Sequence, residues 1–174
     1  IEGKNSTIIN NKILRNNYKI IYGTAAASIN IYHGGNEVIM NNYFEKCSGI
    51  YYDNVYHNSK GEYEYKPVNA VIINNIFKNC NEAIYFDTGV DIKIEGNQFY
   101  DCHVGILAGN SENISIIHNY FTGEANLNNG SQLNGPSHSS APSSIRLYGK
   151  NGIIAENIFM TITGHGTLIT VDND

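Results

Sequence analysis

Two carboxylates, Asp53 and Asp87, each follow a tyrosine by two residues, Tyr51 and Tyr85 respectively. Placed on neighbouring rungs of one sheet, such carboxylates lie about 5 Å apart, the separation of nucleophile and acid in a retaining glycosidase. Like charges that close push one pKa upward, which keeps one of the two acids protonated near neutrality. Both residues also open ordinary turns, in Asp53-Asn54 and Asp87-Thr88-Gly89, so a purely turn-forming role is the plain alternative. A shared Ca2+ is a third reading, although two side-chain carboxylates fall short of the usual six to eight oxygens. No other cofactor and no metal-ligand motif is read from the chain.

Arg146 is the one cation on the same strip and can clamp a sugar carboxylate in a bidentate fork, or simply pair with a loop acid. A lyase needs such a group to neutralise the carboxylate while a base takes the adjacent proton. His33 is a candidate base, as are Tyr51 and Tyr85, and His33 equally suits a solvated turn. Glu62 and Glu64, in the segment NVYHNSKGEYEYKP at 54–67, can supply a missing acid, or that segment can form a small hairpin covering the coil edge. Asn30, Tyr32, Tyr51, Tyr85 and Tyr148 complete the strip as candidate substrate-binding residues, because aromatic rings stack on sugar faces. His103 and His165 read as structural.

These residues share a strip only if the chain coils in register, and an internal repeat says that it does. Asn11, Asn42, Asn75, Asn97, Asn119 and Asn157 are each followed two residues later by Ile13, Phe44, Phe77, Phe99, Phe121 or Phe159. Each is preceded three residues earlier by an isoleucine: Ile8, Ile39, Ile72, Ile94, Ile116 or Ile154. Successive anchors are 31, 33, 22, 22 and 38 residues apart, a 22-residue unit with insertions. Such a unit cannot bury its apolar face alone, but stacked units bury a continuous column. Stacked asparagines can bond one another through their amides and take left-handed dihedrals cheaply at turns. Cys47, Cys80 and Cys102 share one position and read as a column of free thiols.

A third strand per unit is aligned on Ile29, Ile50, Ile84, Ile106, Ile145 and Leu168. With period-two alternation its second row, Asn30, Tyr51, Tyr85, Leu107, Arg146 and Ile169, and its fourth, Tyr32, Asp53, Asp87, Gly109, Tyr148 and Val171, face outward. The insertions 14–28, 54–67 and 122–143 all fall at the two borders of this strand. Long loops gathered on one face of a solenoid mark its working surface. The fold class is therefore all-β: one solenoid domain over 1–174 with about six coils, read as an excerpt of a longer helix.

The units VIMNNYFEKCSGIYY, VIINNIFKNCNEAIYF and IKIEGNQFYDCHVGIL resemble those of right-handed, single-stranded parallel β-helix proteins of the pectate-lyase-like superfamily. The resemblance runs from Asn5 to Val171 and is carried by scaffold positions; no catalytic signature of that superfamily is present. It implies a polysaccharide or oligosaccharide partner lying along the loop-flanked strand, with hydrolase or lyase activity. It also implies an extracellular, cell-surface or virion setting. The tailspike members imply a homotrimer, and with the adhesins they supply the alternative, a non-catalytic stalk or fibre segment.

Other classes are disfavoured by composition. With 11 Lys and Arg against 16 Asp and Glu, the chain carries a formal charge of −5 and no basic patch for phosphates, so nucleic acid is not an expected partner. No apolar run approaches the roughly 20 residues of a spanning helix, and no signal-peptide core opens the chain, so membrane insertion is not expected.

Overall fold

The computed structural model describes residues 5–14, 27–32, 35–53, 55–57, 60, 63–65, 69–124, 143–163 and 167–172. Six coils stack on one another, and each contributes one short strand to each of three parallel six-stranded sheets. The first sheet contains β1 (Thr7–Ile9), β4 (Glu37–Met40), β9 (Ala70–Ile73), β12 (Lys93–Glu95), β15 (Ser115–Ile117) and β18 (Ile153–Ala155). The second contains β2 (Lys12–Leu14), β5 (Tyr43–Glu45), β10 (Ile76–Lys78), β13 (Gln98–Tyr100), β16 (Tyr120–Glu124) and β19 (Ile158–Thr163). The third contains β3 (Ala27–Tyr32), β6 (Ser48–Asp53), β11 (Glu82–Phe86), β14 (Val104–Glu112), β17 (Ser143–Lys150) and β20 (Thr167–Asp172). Among the described residues no helix is long and apolar enough to cross a membrane.

The six-fold anchor is the physical spine of this stack. Ile8, Ile39, Ile72, Ile94, Ile116 and Ile154 pair in register along the first sheet. Ile13 and the five phenylalanines do the same along the second. The rings of Phe44, Phe77, Phe99, Phe121 and Phe159 lie flat on one another, with centroids 4.8, 5.1, 4.6 and 5.0 Å apart. That spacing is the rung distance of a β-sheet, so equal residues at equal positions stack without strain.

Between the first two sheets the asparagines form a ladder. In the interior coils each amide nitrogen donates to the Oδ1 of the next asparagine, as Asn42 does to Asn75 and Asn75 to Asn97, both at 3.0 Å. The same nitrogen also reaches the carbonyl of an isoleucine one coil back, as from Asn75 to Ile39 and from Asn97 to Ile72. Each Oδ1 accepts in addition the backbone N–H of the preceding anchor. A sharp corner thereby buries its polar backbone with partners supplied, which is what a closed interior requires.

The left-handed residue at this corner is not the anchor itself but its predecessor: Asn10, Asn41, Asn74, Gly96, His118 and Glu156 all have φ between 54° and 64°. The other two corners do likewise, with Lys46, Asn79 and Asp101 at one and Asn5, Asn36, Asp91, Asn113 and Asn151 at the other. One αL residue at each of these corners explains the abundance of asparagine, the residue besides glycine that enters this region most cheaply.

None of the three cysteines is in a disulfide, as the column reading expects; Cys47 and Cys80 are buried with sulfurs 3.8 Å apart, and Cys102 is half-buried. Segment 54–67 contains the small hairpin: β7 (Val55–His57) pairs antiparallel with β8 (Tyr63–Tyr65). The last coil departs from the expected register. Ile145 pairs with Ile169, not Leu168, so the outward rows end in Thr170 and Asp172 rather than Ile169 and Val171. No later anchor follows this coil in the sequence to fix its phase.

Candidate functional site

The third sheet positions every strip residue. Ile29, Ile50, Ile84, Ile106 and Ile145 point inward, as do Ile31, Tyr52, Phe86, Ala108 and Leu147, and all are buried. The residue between each such pair must leave by the opposite face. Asn30, Tyr51, Tyr85, Leu107, Arg146 and Thr170 therefore form one continuous outward row.

Outward does not mean open here. Tyr85, Leu107 and Arg146 retain only 7%, 7% and 3% of their accessible surface, and Tyr85, Val104 and Leu107 form a second apolar cluster with Tyr51 against it. The exposed groove expected from alternation is instead a covered face. The rings of Tyr51 and Tyr85 stack 4.3 Å apart and 7° from parallel. Each thus spends one face on the other along the coil axis, leaving edges and hydroxyls directed away from the sheet. Sugar stacking on these two faces, the role expected of them, is largely preempted.

The Tyr85 hydroxyl donates to Asp87 Oδ1 at 2.5 Å. Burial first, then the neighbouring Tyr51 and Asp87, push the Tyr85 phenol far above its ordinary value. With its proton directed to Asp87, Tyr85 stands as a hydrogen-bond donor rather than as the base offered as an alternative.

Asp53 closes β6, its backbone paired with Tyr32 of β3. The pairing of β6 with β11 runs as far as Tyr52 and Phe86, one residue short of Asp53 and Asp87. The side chains of Tyr32 and Asp53 lie outside what is described, as do residues His33, Glu62 and His165; Glu64 stands in β8 opposite Tyr56. Tyr148 is half-buried and pairs with Asp172. It does not continue a row through Gly109, because an irregularity between Ala108 and Ser111 shifts the register there. Gly109 lies close over the Asp87 carbonyl, where a side chain would collide with backbone. Among the described residues no group of three or more His, Cys, Asp or Glu side chains is placed to hold a metal ion.

One residue read as structural belongs to the neighbourhood. His103, in the turn entering β14, has its Nε2 buried without a hydrogen-bond partner. Its imidazole is pushed below the ordinary range by burial first and by the charge of Arg146 second. The only sequence signal was its place immediately before the loop-flanked strand.

A family model described as "Right handed beta helix region" matches residues 1–121. No curated protein and no solved structure matches the chain.

Proposed function

Because the chain belongs to the right-handed β-helix family, we propose that it binds a polysaccharide or oligosaccharide along the outer face of its third sheet and cleaves it there. The observation that carries this reading is Arg146, a guanidinium held at 3% exposure on the outside of the coil. Cations on the outward faces of the other sheets, Lys12, Lys78 and Lys93, are exposed. A desolvated charge is costly to keep and is retained where it serves structure or recognition. Arg146, at 3% exposure, would lend its charge to a sugar carboxylate from beneath the surface, and the half-buried Asp87, bonded to the Tyr85 hydroxyl two rungs away, would meet the hydroxyls of the same chain. Cleavage is either hydrolysis through Asp53 and Asp87 or elimination around Arg146, with His33 as base. The site requires no cofactor in this scheme. An extracellular, cell-surface or virion setting and a homotrimeric assembly accompany the proposal.

The stacked tyrosines favour a second reading, a non-catalytic stalk or tailspike-like segment in which the row is packing. Incubation with a panel of acidic and neutral polysaccharides separates the two. Cleavage is read as ultraviolet absorbance of unsaturated ends or as new reducing ends, and binding by calorimetry. Asp53→Asn and Asp87→Asn are each expected to abolish cleavage with the fold intact. Binding without cleavage across the panel would leave the stalk reading, and neither binding nor cleavage would overturn the glycan assignment.

A further inference from the structure

At the corner joining the third sheet to the first, the interior is filled by size compensation between two columns. One is Ile31, Tyr52, Phe86, Ala108, Leu147. The other begins with Glu37 beside Ala70 and continues one residue ahead of the paired β9, β12 and β15 through Ile92 and Ile114. Small Ala70 accompanies the bulky Tyr52 and Phe86, and small Ala108 accompanies Ile92 and Ile114, as close packing demands. Glu37 is the one carboxylate in this lining and has no exposed surface, nor has Tyr52.

Glu37 Oε1 accepts the backbone N–H of Gly35 at 2.5 Å. Glu37 Oε2 and the Tyr52 hydroxyl are both buried with no hydrogen-bond partner. The two groups bound the same corner of one coil: Tyr52 pairs with Ile31 of β3, and Glu37 opens β4 and pairs with Ala70 of β9. Two bare polar atoms in one apolar interior are a heavy loss unless something joins them. A polar site of this kind accepts a buried water, which needs two to four partners. We propose that Glu37 and Tyr52 form an internal site for a single water molecule, bridging Glu37 Oε2 and the Tyr52 hydroxyl.

Of the neighbouring strands, β3 brings Ile31, β6 brings Tyr52 and β9 brings Ala70; among these described residues Tyr52 is the only titratable group and none is cationic. Burial raises the Glu37 carboxyl above its usual 4.5, and the Gly35 bond only partly opposes this. A carboxyl raised on folding adds stability that is complete below its unfolded pKa and disappears as pH climbs through the folded value.

Tyr52→Phe tests the site through a sign. The variant installs the ring that Phe86 already places in the next rung, stacked 4.4 Å from Tyr52, so it should fold. If the hydroxyl is bridged, its removal lowers the melting temperature by about 2–4 °C, the shift for one net hydrogen bond in a domain of this size. That loss should shrink in a Glu37→Gln background. Glu37→Gln should also flatten the fall of melting temperature with rising pH. A high-resolution crystal structure of the full chain should show one water within hydrogen-bond distance of Glu37 Oε2 and the Tyr52 hydroxyl. A Tyr52→Phe protein as stable as the parent or more so, or density showing direct contact with no water, would overturn the proposal.

Discussion

Replacing one rung of the amide ladder gives the sharpest test of what holds the coils in register. Asn97 is fully buried, its Oδ1 accepts from the backbone and amide nitrogens of Asn75, and its Nδ2 donates to the carbonyls of Ile72 and Glu95 and to Asn119. Asn97→Ala leaves the Asn75 N–H without its acceptor and Ile72 O without its side-chain donor. At about 1–3 kcal/mol for each buried group left bare, the loss is about 2–6 kcal/mol. Asn11 has the same sequence context but is exposed, and its bonds run to Ile9 O and to Asn42. Asn11→Ala should therefore cost less than about 1 kcal/mol, as water replaces what is lost. Urea denaturation of the two variants measures the difference, and hydrogen exchange at the Asn75 amide localises it. Equal costs at the two positions, or unchanged exchange at Asn75, would show that ring and isoleucine stacking alone set the register.

Phe99→Ala, in the middle of the ring column, should cost about 3–5 kcal/mol by the same assay, since rings on both sides keep the vacated space from closing. Thiol titration should show Cys102 reacting well ahead of Cys47 and Cys80, with Cys80 further slowed because burial raises its thiol; equal rates would contradict the column. His118 lies between Glu95 and Glu156, which raise its imidazole in that order, so stability from these contacts is full below the unfolded pKa and lost as pH rises through the folded one. Glu95→Gln should lower the His118 midpoint seen by NMR, and an unmoved midpoint would deny the contact. Asp87→Asn should bring the Tyr85 phenol down in an ultraviolet pH titration, because one of its raising causes is removed.

Much of this architecture is written in positions that repeat. Asn97 and Phe99 each recur once per coil, and a residue that stacks on its own copies announces its neighbours. Leu168 was misphased for the converse reason: it has no following copy against which to count. Alternation correctly sent Tyr85 and Arg146 outward, yet it specifies only how a side chain leaves its strand. What lies over that side chain is a tertiary property with no local period, so the covering of the row was illegible. Glu37 escaped notice for a similar reason, since a single glutamate at a corner looks like any solvated turn residue until Tyr52 and Ala70 close around it.

The amide column also has a polarity. Every Nδ2–H bond between rungs runs the same way, from Asn11 toward Asn157, so the side-chain dipoles add rather than cancel. A coil laid down in the reverse sense would set oxygen against oxygen. The column thus acts as a one-way template, favouring a neighbouring rung in a single orientation.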